Sequence, residues 1–97
     1  MEANLKMPVV IEKEHVANLN WPSEEVLMGS EIIKQRSAEL HKALKLGNVE
    51  KGKTKIVFED SIGVKQVETT IWGVTDKRII LKQGVVIPIH RIHEVKI

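Results

Sequence analysis

Between Lys45 and Thr54 the hydrophobic period of the chain changes, and that change limits what it can fold into. Upstream, Val26, Ile33, Leu40 and Leu44 recur at helical spacing, with Leu27, Ile32 and Ala43 widening the stripe. Downstream, aliphatic and polar residues alternate through TKIVFE (54–59), VKQVETTIWGV (64–74), RIILK (78–82), VVIPI (85–89) and the closing HRIHEVKI. A helical pattern will not sit as a strand, nor the reverse. The spacing predicts an α+β chain, with a helix over about 24–46 and five short antiparallel strands over about 54–97.

Punctuation sharpens the boundaries. Ser23 is placed to cap the helix, and Glu24 and Glu25 suit its positive end. Gly29 and Ser30 interrupt the stripe, either as a kink or as the cap of a second piece. Gly47 stands where the helix would stop. In the long strand, Val67, Thr69 and Ile71 face one way; Gln66, Glu68, Thr70 and Trp72 face the other. Gly73 marks a bulge or bend, and Pro88 requires a sheet edge or a break in pairing. Five short strands leave one apolar face to bury. Closure into a barrel-like sheet with the helix across one end does so, and an open sheet with the helix on one face is the rival. Residues 1–20 read as a loosely ordered arm of a single domain spanning 1–97. Val9–Ile11 could form a short strand that Pro8 restricts to an edge or a strand start.

Composition excludes more than it assigns. The chain has 97 residues and no cysteine. Disulfides, thiolate metal sites and cysteine nucleophiles are therefore ruled out, and a reducing cytoplasm is the expected compartment. No apolar run approaches the roughly 18 residues of a spanning helix, so no membrane role is expected. MEANLKMPVVIEKEH lacks the apolar centre of a signal peptide. There is no glycine-rich phosphate loop, helical zinc motif or nucleophile elbow. His90, His93 and Glu94 could meet a metal only if the chain turned helically at 90–92, and they read better as half-exposed residues flanking Ile89 and Ile92. The expectation is a chain with no enzymatic activity, no cofactor and no metal.

Two partial resemblances follow from the closing residues and the element order. VTDKRIIL followed by IPIHRIHEVKI, within 74–97, resembles bacterial pleckstrin-homology-like and GRAM-type domains. The order of one helix and five strands, with a short turn before the last, resembles small Sm-like barrels. That second resemblance implies ring assembly or RNA binding; the Asp and Asn of the Sm-like RNA loop have no full counterpart, since VTDKR offers Asp76 alone.

The remaining candidates are surfaces. Residues 1–52 carry seven basic and eight acidic side chains, and residues 53–97 carry eight and five. Lys77, Arg78, Lys82 and Arg91 are candidate polyanion ligands on that basic half. Trp72 is a base-stacking platform if its face is solvent and a core residue if it lies under the helix. With three aromatic residues in the chain, core use is favoured. Trp21, before Pro22, reads as a packing anchor at the helix start. Val26, Leu27, Ile32 and Ile33 exceed what one small sheet covers, and so form a candidate interface. The expected function is a non-enzymatic binding or assembly module. It would act through protein contacts and self-association, with a dimer favoured; the alternative is an RNA-binding small barrel.

Overall fold

The computed structural model describes residues 7–97. The chain runs β1 (Val9–Val10), α1 (Lys13–Val16), α2 (Ser30–Glu50), β2 (Thr54–Glu59), β3 (Val64–Thr69), β4 (Ile71–Val74), β5 (Arg78–Leu81), β6 (Val86–Pro88) and β7 (Ile92–Lys96). Short 3-10 turns at Lys82–Gly84 and Ile89–Arg91 join β5 to β6 and β6 to β7. The class is α+β, with one long helix and strands in two sheets, ordered β1-β3-β2-β7 and β4-β5-β6.

The expected five-stranded barrel does not close. The reason lies at Thr70, inside the segment expected as one strand from 64 to 74. Up to Thr69 the chain pairs with β2, in register from Thr54↔Thr69 to Glu59↔Val64. From Ile71 it pairs with β5 instead. The Thr70 carbonyl between them accepts the Lys82 amide at 3.0 Å. The ladder thus changes partner within one residue, and the strand becomes two strands in different sheets. β1 is parallel to β3 at an edge, with Val9↔Lys65 and Val10↔Gln66 paired. The arm expected over 1–20 lies partly outside the described residues. From Val9 on it is tied to the sheet, where Ile11 N–H donates to the Gln66 carbonyl at 2.9 Å.

Both sheets feed one core. Ile56, Phe58, Val67, Ile92 and Val95 meet Ile71, Ile79, Leu81 and Ile87, and Val16, Leu40 and Ala43 close the cluster from the helices. Trp21 packs its ring 5.5 Å from Phe58, tilted by 56°. The face that α2 buries is Arg36, Leu40, Ala43 and Gly47, a helical spacing of four, three and four residues.

The helix bounds differ from expectation at both ends. α2 starts at Ser30 behind Gly29, whose φ of 103° favours glycine, and Ser23 caps nothing. Residues 22–26 are held instead by the far end of the chain. Val26 N–H donates to the His90 carbonyl at 2.9 Å, and Arg91 Nη1 donates to the Glu24 carbonyl at 2.8 Å. At the other end the helix passes Gly47 and stops at Glu50. Lys51, at φ 55°, and Gly52 close it with amides donated to the Gly47 and Leu46 carbonyls.

Two carboxylates support the fold and should make it acid-labile. Buried Asp60 organises the β2–β3 turn, accepting from Ile62 N–H, Gly63 N–H and, at 2.7 Å, Lys65 Nζ. Burial pushes its carboxyl up, but Lys65 and the two amides outweigh this and hold it below the usual carboxylate range. The Arg36 guanidinium likewise holds Glu25 low. Both pKa values are depressed on folding, so the unfolded chain binds more protons in acid. Their contribution is complete above the ordinary carboxylate pKa and is lost as pH falls through the lower folded values. The denaturation midpoint should therefore drop steeply below about pH 4. Asp60→Asn should flatten that drop; a midpoint independent of pH across this range would contradict the assignment.

Candidate functional site

The four basic candidates do not form one patch. Lys77 and Arg78 are exposed at the β4–β5 turn. Thr75 shapes that turn: its hydroxyl accepts from the Arg78 amide at 3.0 Å, and its own amide donates to the Arg78 carbonyl at 2.8 Å. Lys82 is exposed just past the opposite end of β5, four residues and about 13 Å from Arg78 at strand rise. Arg91 turns inward. It is 6% exposed, and its guanidinium donates to the Glu59 and Glu24 carbonyls at 2.9 and 2.8 Å. Such a side chain cannot reach a phosphate without releasing residues 22–26, so Arg91 leaves the polyanion set.

His90 and His93 have separate partners. His90 Nε2 sits 2.9 Å from the Pro22 carbonyl, which can only accept, so this nitrogen carries a proton. His93 Nε2 lies 2.9 Å from Glu59 Oε1. Among the described residues no three His, Asp or Glu side chains are grouped to hold a metal.

Trp72 corrects the expectation of a core residue. It is 52% exposed. β4 and β5 pair Ile71↔Leu81 and then Gly73↔Ile80, so Trp72 is the extra residue of a β-bulge. A bulge leaves its residue unpaired and re-aims the side chain. Gly73 was the signal for a bulge; what it did not reveal was which neighbour would be turned out.

Beside Trp72 lies a cleft of about 590 Å³, lined by Gly47, Asn48, Lys51, Thr70, Trp72 and Lys82. Its closeness depends on Gly47. A Cβ there would stand 2.6 Å from the Ile71 carbonyl oxygen and 2.9 Å from Thr70 Cγ2. The last turns of α2 can rest on β4 only because that side chain is absent. Asn48 and Lys51 are thereby brought to the cleft, and neither was singled out from sequence. A second groove, of about 540 Å³, runs beside β6 and includes Val16, Trp21, Val85, Val86 and Pro88 in its lining.

The interface candidates are only partly exposed. Val26, Leu27 and Ile33 are half-buried, whereas Ile32 is 50% exposed. Among the described residues no helix is long and apolar enough to cross a membrane. Comparison with known protein families, with curated proteins and with solved structures returns no match.

Proposed function

We propose that the chain is a non-enzymatic assembly module, at work in the cytoplasm, that pairs with further copies of itself through its open strand edges. The observation that carries this reading is two of the four edges left by the two sheets, those of β6 and β7. β6 ends one sheet and β7 ends the other, and among the described residues neither has a second strand partner. Each edge carries an exposed aliphatic residue: Val86 on β6, 39% exposed, and Ile97 just past β7, 66% exposed. Unpaired edges are templates for another strand. A strand added to β6 would gain backbone hydrogen bonds there and the apolar lining of the adjoining groove.

Pairing β6 of one copy with β7 of the next is head-to-tail; it makes a ring where the rotation between neighbours closes and an open filament where it does not. The resemblance to small Sm-like barrels, which assemble into rings, supports the same reading. RNA binding by a basic patch ranks second, because Arg91 is unavailable and Lys82 stands apart from Lys77 and Arg78.

Light scattering from micromolar to millimolar protein tests the proposal. A mass above the 11.0 kDa of one chain is expected, rising with concentration and changing little with salt. Val86→Lys should return the mass to one chain. A single-chain mass throughout would overturn the reading.

A further inference from the structure

We infer that the cleft between the last turn of α2 and the β4 bulge binds one purine nucleotide, its base on the Trp72 ring and its phosphate on Lys82 and Lys51. This goes beyond self-assembly and does not rest on it. Three observations converge on the cleft. Trp72, the extra residue of a bulge, is half exposed, which leaves part of its ring open to stacking. Two exposed lysines line the same cleft. The cleft volume of about 590 Å³ lies within the range of small-molecule sites, about 300–1,000 Å³.

The chemistry selects a nucleotide over a simple anion or an apolar ligand. A base presents a flat face that stacks on an indole, and a purine offers more of it than a pyrimidine. One tryptophan provides room for one base, which disfavours a run of stacked bases. Asn48 brings both donors and an acceptor for a base edge. The C-terminal end of α2 carries partial negative charge, which repels a phosphate placed directly on the helix axis. The phosphate is therefore directed toward Lys82, on the sheet side, with Lys51 at the rim.

The probes are adenosine 5′-monophosphate, adenosine, inorganic phosphate and a short oligoadenylate, titrated into the full chain. The readout is the Trp72 indole N–H signal in two-dimensional NMR. The monophosphate should shift it saturably, and adenosine should do so more weakly. Trp72→Leu lacks that signal, so its affinity is read by isothermal titration calorimetry beside the parent; it should bind the monophosphate about tenfold or more weakly, the scale of one base–aromatic stack. Lys82→Gln should weaken the monophosphate and leave adenosine unchanged. Both side chains are exposed, so both variants should keep the wild-type circular dichroism. Val86→Lys should bind as the parent does, which separates this site from the assembly proposal.

If oligoadenylate binds no tighter than the monophosphate, the source is a free nucleotide; a large gain per strand assigns the same site to a nucleotide within a strand. Either phosphate alone matching the monophosphate or no indole shift at millimolar monophosphate would overturn the inference.

Discussion

Arg36→Met is expected to destabilise the fold by about 3 kcal/mol in urea denaturation at neutral pH, the lower end of the range for breaking a buried ion pair. Arg36 is 5% exposed on the buried face of α2. Its two terminal nitrogens meet the two oxygens of Glu25 at 2.6 and 2.7 Å, and Nη1 also donates to the Ile92 carbonyl at 3.0 Å. One side chain thus ties the segment before α2, the helix itself and the start of β7 together. Methionine keeps the stem but strands the Glu25 carboxylate and the carbonyl. Glu25 partly reaches water, which softens the loss. The converse change should cost more. Glu25→Ala leaves the charge on the buried partner, whose Nε already lacks a hydrogen bond. The double variant should be less destabilised than the two single losses added together. A loss under about 1 kcal/mol for Arg36→Met would reduce the pair to an ordinary surface contact.

The same arginine shows where sequence reasoning stops. Alternation made the strand at 78–81 legible, because Ile79 and Leu81 are buried and Arg78 is not; at 54–59 the alternation is incomplete, since Val57 is buried between Ile56 and Phe58. Helical spacing likewise located the middle of α2 through Leu40 and Ala43. Arg36 and Gly47 occupy the same face, yet neither belongs to the apolar stripe, and Gly47 read as a stop. Each is explained by a partner distant in sequence: Glu25 and Ile92 for the arginine, the Ile71 carbonyl for the glycine. The helix start failed for a related reason. Ser23, Glu24 and Glu25 have the composition of a first turn, but His90, Arg91 and Arg36 hold that segment in another conformation. In the closing stretch Arg91 read as a polyanion ligand, and it points in. At the candidate cleft, the side of the strand bearing Trp72 was legible. Its exposure was not, since that depends on the bulge and on how far α2 extends.

Gly47→Val is expected to cost about 3 kcal/mol, the upper end for overpacking. Helix propensity alone argues the other way, since glycine inside a helix is about 0.5–1 kcal/mol worse than alanine. Packing decides the sign. The first added carbon would lie 2.6 Å from the Ile71 carbonyl oxygen, and the further methyl groups of valine would meet Thr70 as well. The obstacle is backbone in a strand paired to β5, not the tip of a mobile side chain. Relief requires α2 to lift from β4, which uncovers Ala43 and Leu40, both buried in the core. Gly47→Ala should be milder, because the propensity gain offsets part of a smaller clash. The two variants should thus rank wild type, alanine, valine in denaturation midpoint. The lift would also carry Asn48 and Lys51 away from Trp72, so Gly47→Ala should loosen nucleotide binding while leaving Trp72 itself in place. An alanine variant more stable than the parent, with the Trp72 indole environment unchanged, would show that α2 does not rest on β4 at this glycine.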